Sequence, residues 1–258
     1  MLASHPDIYV PTRRKEIFYF DLYYERGLEW YEGFFPQKAE ARRYQAMGEI
    51  TATYIYRPYA PERIVLVPSI TKLILMVRNP VDRAYSHYGL LVKNGEYAGS
   101  FEVFLTDQPW VIQQGFYSRY LENFYQYFKK DQILVLVYEL ATTKVPETKQ
   151  TLARFLGVAT ERFPLNAGTK RVNRSFIPRV PIVYALTRKV AWHYLRHKWN
   201  LDGVVNWGKR LGIEHLFGDS GSFPPIRKET RQYLCALYDD EIENLETLLD
   251  VSLDCWRE

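Results

Sequence analysis

Lys72-Leu-Ile-Leu-Met-Val77 runs directly into Arg78-Asn-Pro-Val-Asp-Arg-Ala-Tyr-Ser-His-Tyr88, and this stretch decides the fold. Leu73 to Val77 is a continuous apolar run, the pattern of a strand buried on both faces. Arg78 stands at its carboxyl end. Asn79-Pro80 turns the chain, and Pro80 suits the first position of a helix, where an N–H would have no intrahelical partner anyway. Asp82 then falls in the first turn, at the positive end of the helix dipole. Strand, tight turn and a helix opening at the strand's carboxyl end form the ligand edge of an open α/β sheet. Arg78 and Ser86 can converge there on one anion, the first with a planar fork of donors and the second with a hydroxyl, beside the free N–H groups of the helix start. An ordinary ion pair for Arg78 and a packing role for Ser86 fit the same spacing.

The wording of the stretch is more specific than its spacing. Arg78 to Tyr88 closely resembles the 3′-phosphate-binding segment of sulfotransferases that use 3′-phosphoadenosine 5′-phosphosulfate (PAPS). It is most similar to the group containing the heparan sulfate N- and O-sulfotransferases and their bacterial relatives. The resemblance implies that Arg78 and Ser86 hold the 3′-phosphate of the nucleotide. It also implies a three-layer α/β fold of the P-loop NTPase type, with a central parallel sheet flanked by helices.

Other phrases follow in the family's order. Glu16-Ile-Phe-Tyr-Phe20 and Gly27-Leu-Glu-Trp-Tyr31 resemble its Glu-Ile-x-Phe-Phe and Gly-Leu-x-Trp-Tyr words. The resemblance implies Glu16 as general base, and the chemistry is apt, because an acceptor hydroxyl or amine must lose a proton as it attacks sulfur. Beside Arg14 and Lys15, Glu16 would equally make weak surface ion pairs. Gly48-Glu-Ile-Thr-Ala-Thr-Tyr54 is similar to the family's Glu-Lys-(Ser/Thr)-Pro-x-Tyr segment, with Ile50 where heparan-type enzymes usually carry Lys. Glu49 is read either as a pocket residue or as the buried partner of an arginine. The family's opening strand and Lys-x-Gly-Thr-Thr-like phosphosulfate loop have no counterpart. The sequence is therefore expected to begin inside the helix after that loop, near His5-Pro6, and to lack both.

The chain has 258 residues, a net charge of +4 and 47 % hydrophobic residues, ample for the core of one α/β domain spanning 1–258. Its Lys and Arg are scattered, which suits an anionic ligand pocket and excludes a nucleic-acid-binding signature. Cys235 and Cys255 lack metal-type spacing and are expected to be two reduced, buried thiols. His193, His197 and His215 have no partners at ligand spacing, so no metal is expected. No apolar run reaches membrane-spanning length and no secretory signal is visible, so a cytoplasmic protein without a transmembrane segment is the expectation.

Along the chain, the tail of Arg13 to Phe20 reads as a short strand ending in Asp21, and Tyr23 to Pro36 as a helix. Gly115 to Phe128 has the three-and-four spacing of an amphipathic helix, and Ile133 to Val137 is a second buried strand, parallel to the first. The Tyr117 ring is read as near the nucleotide or simply packed. Val145 to Gly157 is a helix stopped by glycine, and Arg227 to Leu249 a long amphipathic helix or pair. Residues 164–222 form a variable region. They include the basic-aromatic segment 184–199 and Arg171, Arg174 and Arg179, candidates to replace a Lys-Gly-Arg nucleotide loop that here reads Ser220-Gly-Ser222.

The leading reading is a PAPS-dependent sulfotransferase that passes a sulfuryl group to a hydroxyl or amine of a carbohydrate or small-molecule acceptor. Its partners would be PAPS and its product 3′-phosphoadenosine 5′-phosphate (PAP), with no nucleic acid. The alternative is a catalytically degenerate nucleotide- or glycan-binding protein that keeps the fold. A P-loop kinase is disfavoured, since the chain has neither a Walker loop nor a magnesium-binding carboxylate pair.

Overall fold

Three short strand pairings organise the backbone, seen here in a computed structural model. The structure describes residues 1–14, 16–168, 177–178, 218–219 and 225–257. Lys15, most of the 164–222 region with its segment 184–199, and Arg171, Arg174, Arg179 and Ser220-Gly-Ser222 lie outside them. Two compact units appear, one of residues 1–79, 116–170 and 240–258, the other of 80–115 and 171–239.

In the first unit, β1 (Ile8–Tyr9) pairs in parallel with β2 (Ala46–Met47). The β3 strand (Leu73–Val77) pairs in parallel with β4 (Ile133–Val137), Leu73 opposite Ile133 and Val77 opposite Val137. Both strands were expected from their apolar runs, but burial on both faces of β3 is corrected. Leu73, Leu75 and Val77 turn inward, whereas Ile74 and Met76 are 36 % and 50 % exposed. Side chains alternate across a strand, and the face of Ile74 and Met76 is only partly covered, their register partners Leu134 and Leu136 packing against the cluster of Ile8, Leu152 and Phe163.

Helices α1 (Leu28–Glu32), α2 (Lys38–Ala41) and α3 (Ala60–Val65) precede β3. Gly27, at φ 78°, separates a 3-10 turn at Tyr24–Arg26 from α1, so the single helix expected over Tyr23–Pro36 is two pieces. After β3 come α4 (Pro80–Lys93), α5 (Phe101–Asp107), α6 (Trp110–Gln113) and α7 (Tyr117–Tyr125). Then α8 (Tyr138–Thr143) follows β4 directly, and α9 (Val145–Leu156) ends at Gly157 in the left-handed conformation, as its position required. The 22-residue α10 (Lys228–Leu249) is one continuous helix. A hydrophobic cluster of Ile8, Leu152, Ala153, Val158 and Phe163 fills the first unit beside β1 and α9. His5 locks into it, Nε2 donating to the Ala159 carbonyl at 2.9 Å and Nδ1 accepting the Asp7 N–H at 3.1 Å.

The second unit holds α4 to α6, the N-terminal part of α10 and the antiparallel pair of β5 (Ile177–Pro178) with β6 (Gly218–Asp219). Arg231 of α10 donates to Asp82 at 2.7 Å, and the fully buried Tyr238 donates its hydroxyl to the Ile112 carbonyl at 2.8 Å. A Cβ on Gly115 would sit 2.6 Å from that tyrosine ring, which its burial and hydrogen bond hold in place. Gly115→Ala is therefore expected to cost about 1–3 kcal/mol by overpacking, measured as a lower midpoint in urea unfolding.

Neither cysteine is in a disulfide, and each is half-buried rather than buried.

Candidate functional site

The carboxyl end of β3 and the loop that carries Glu16 both belong to the first unit, and each has its own support. At the strand end, the Arg78 carbonyl accepts the Tyr117 hydroxyl at 2.9 Å. The Asn79 N–H donates to Glu139 Oε1 at 3.1 Å, and its side-chain amide donates to the Trp256 carbonyl at 3.0 Å. The Arg78 guanidinium lies over the Tyr138 ring, 5.1 Å from its centroid. Its Nε is buried and has no hydrogen-bond partner among the described residues. A guanidinium stays charged in proteins, and a buried N–H without an acceptor is costly. Such a group is suited to an anionic ligand that would supply the acceptor.

Residues 16–23 form a turn rather than the short strand expected to end in Asp21. Phe18 takes a left-handed conformation, φ 57°, and its carbonyl accepts both the Leu22 and Tyr23 N–H groups at 3.0 Å. The neighbouring segment over 49–54 ties the turn down. Glu49 is the hub. Its Oε2 accepts the Thr51 hydroxyl at 2.6 Å and its Oε1 the Tyr54 hydroxyl at 2.7 Å. Those two hydroxyl oxygens in turn accept the N–H groups of Phe18 and Phe20, each at 3.4 Å. Burial pushes the Glu49 carboxyl above its ordinary value, while the bonds from Thr51, Tyr54 and the Ile17 N–H pull the other way. Of the two readings of Glu49, partner to an arginine is corrected: hydroxyls and a backbone N–H hold it. The same charge, after burial itself, holds the Tyr31 and Tyr54 hydroxyls well above the usual tyrosine range.

Glu16 is half-buried at the start of this turn. Its Oε1 accepts the Ala52 N–H at 3.2 Å, and Oε2 has no partner among the described residues. A carboxylate held by one oxygen with the other free is geometrically able to take a proton. Asp21, at the other end of the turn, is fully occupied by Thr53 at 2.5 Å, the Leu22 N–H at 2.7 Å and Arg57 at 3.8 Å. Arg63 closes the turn by donating to the Phe20 carbonyl at 3.1 Å, its guanidinium between the Tyr24 and Tyr59 rings.

Ser86 lies on α4 in the second unit and is exposed. Next to it, His87 Nε2 is buried without a partner, and burial, then Arg83, lowers the ring's basicity. No metal-holding group of His, Cys, Asp and Glu occurs among the described residues.

Sequence reasoning missed Glu139 and Trp256. Glu139 follows the second strand run, and Trp256 closes a phrase that resembles the family's closing segment. Nothing in one sequence says that both meet at Asn79.

Parallel strands joined by helices define an α/β protein, with the buried Arg78 Nε at a strand end lacking a hydrogen-bond partner among the described residues. The family model described as Sulfotransferase domain matches residues 1–174, and the chain belongs to that family. It is similar to Heparan sulfate glucosamine 3-O-sulfotransferase 6 of Mus musculus, 34 % identical over 141 residues, which are 52 % of this chain and 40 % of that one. Heparan sulfate glucosamine 3-O-sulfotransferase 3A1 of Mus musculus is 32 % identical over 166 residues, 61 % of this chain and 41 % of the relative. Membrane-associated sulfotransferase kil1 of Dictyostelium discoideum is 34 % identical over 133 residues, 48 % and 28 % of the two chains. The chain thus spans less than half the length of these relatives. A crystal structure of a sulfotransferase from Alicyclobacillus acidocaldarius superposes with a TM-score of 0.68 at 21 % identity, covering 100 % of this chain and 91 % of the other, and shows the same fold. Among the described residues no helix is long and apolar enough to cross a membrane.

Proposed function

We propose that this protein is a PAPS-dependent sulfotransferase acting on a hydroxyl or amine of a carbohydrate or small-molecule acceptor, through one sulfotransferase domain. The observation that carries the reading is Arg78 Nε, buried at the end of β3 without a hydrogen-bond partner among the described residues. Family membership over residues 1–174 supports it. Arg78 serves as the cation for the nucleotide's 3′-phosphate. Ser86 adds a hydroxyl to the same phosphate, an assignment that rests on the motif the two residues share. Bound PAPS supplies an activated sulfur whose bond to the bridging phosphate oxygen breaks as the acceptor attacks. Glu16 takes the acceptor's proton on Oε2, while the Ala52 N–H keeps Oε1 in place. The Glu49 hub prevents the loop from drifting during this transfer.

Calorimetric titration with PAP, with 5′-AMP as control, tests the reading. PAP is expected to bind at least about tenfold more tightly, the worth of one charge-assisted contact to the 3′-phosphate. Equal affinities, or no binding of either nucleotide, would overturn it. PAP binding without transfer to any of a panel of hydroxyl and amine acceptors would favour the degenerate binding protein instead.

A further inference from the structure

We infer that Glu139 and Trp256 are positioning residues for Arg78, so that the end of the chain sets how well the strand end grips a phosphate. The inference rests on the reading of Arg78 as the 3′-phosphate cation.

Four hydrogen bonds close around residues 78 and 79. The Tyr117 hydroxyl holds the Arg78 carbonyl, and the Asn79 N–H holds Glu139 Oε1. Trp256 Nε1 donates to the other Glu139 oxygen at 2.8 Å, and the Trp256 carbonyl accepts from the Asn79 side chain. Glu139 and Trp256 therefore grip Asn79 from its backbone and from its side chain at once. Asn79 and Trp256 are buried at 6 % and 2 % exposure, and the Tyr117 and Trp256 rings lie 6.2 Å apart. Within this cycle both atoms of the peptide bond between Arg78 and Asn79 are fixed, the carbonyl by Tyr117 and the N–H by Glu139. The direction in which Arg78 leaves the strand is set by that peptide.

The chemistry of the cycle demands an acid at 139. Both groups that meet Glu139 here, a backbone N–H and an indole N–H, only donate. A carboxylate offers an acceptor to each. An amide of the same shape must turn its NH2 against one of them, leaving two donors face to face. Phenylalanine at 256 would keep most of the ring but remove the donor. Neither Glu139 nor Trp256 faces the unpartnered Arg78 Nε with an acceptor, so the cycle orients Arg78 without consuming its charge.

The experiment compares PAP and 5′-AMP affinities of the full chain with those of Glu139→Gln, Trp256→Phe and Tyr117→Phe, alongside Arg78→Ala and a thermal melt of each. The positioning variants are expected to lower the PAP-to-AMP affinity ratio by about tenfold, the worth of one hydrogen bond to a charged group, with 5′-AMP binding unchanged. A purely structural cluster would lower the melting temperature and leave the ratio intact, which would overturn the inference. If Arg78→Ala itself leaves the ratio unchanged, the phosphate reading fails instead. Tyr117→Phe removes a single hydroxyl and decides the matter if the other two variants do not fold.

Discussion

Glu16→Gln is expected to lower sulfuryl transfer by about 10²- to 10⁴-fold, the usual contribution of a positioned general base, while PAP affinity stays unchanged. Gln keeps the shape of the side chain and retains an oxygen for the Ala52 N–H, so the turn has no reason to move. What it loses is the free carboxylate oxygen, the part that can accept a proton. Release of PAP with time, measured for wild type and variant on the same acceptor, checks the result. A variant with unchanged kcat would remove Glu16 from the reaction, whatever the nucleotide does.

The second large effect is expected at Glu49. Glu49→Leu leaves the Thr51 and Tyr54 hydroxyls and the Ile17 N–H without their acceptor, and should cost about 3 kcal/mol. Turnover should fall with it, because the 16–20 backbone is anchored through those same hydroxyls. Glu49→Gln should be milder, and its deficit should depend on pH. Burial holds the native carboxyl above its ordinary value of 4.5, so the site favours the protonated acid. The wild-type contribution is then full below that ordinary value and declines as pH rises through the raised native one. Glutamine does not titrate, so its deficit against wild type should be largest near about pH 4 and shrink toward about pH 7. Urea unfolding of both proteins across that range reads it directly. A deficit that grew with pH would mean that Glu49 is stabilised as the charged form.

Much of the frame was legible before any coordinates. The runs Leu73–Val77 and Ile133–Val137 read as parallel strands because each is a short continuous apolar run, with helix patterns between them. Gly157 marked a helix end because glycine alone takes the left-handed cap without strain. The Glu16 loop was harder. Ile17 to Phe20 has the composition of a strand, and local propensity predicts one. Hydrogen bonds donated by the Phe18 and Phe20 N–H groups to Thr51 and Tyr54, more than thirty residues away, overrule that preference, and the segment bends at Phe18.

The same contrast divides the candidate site. Sequence by itself determined that an arginine ends a strand, that a proline opens the next helix, and that a carboxylate stands among aromatic residues near the start of the chain. These are properties of neighbours along the backbone, carried by period, turn chemistry and motif. Tertiary structure alone decided what each group can do. Among the described residues it left Arg78 Nε and one oxygen of Glu16 without a partner while filling both oxygens of Glu49, and it brought Trp256 to Glu139 across 117 residues of chain. Burial and hydrogen-bond pairing depend on what folds against a residue, and no local pattern in the chain encodes it.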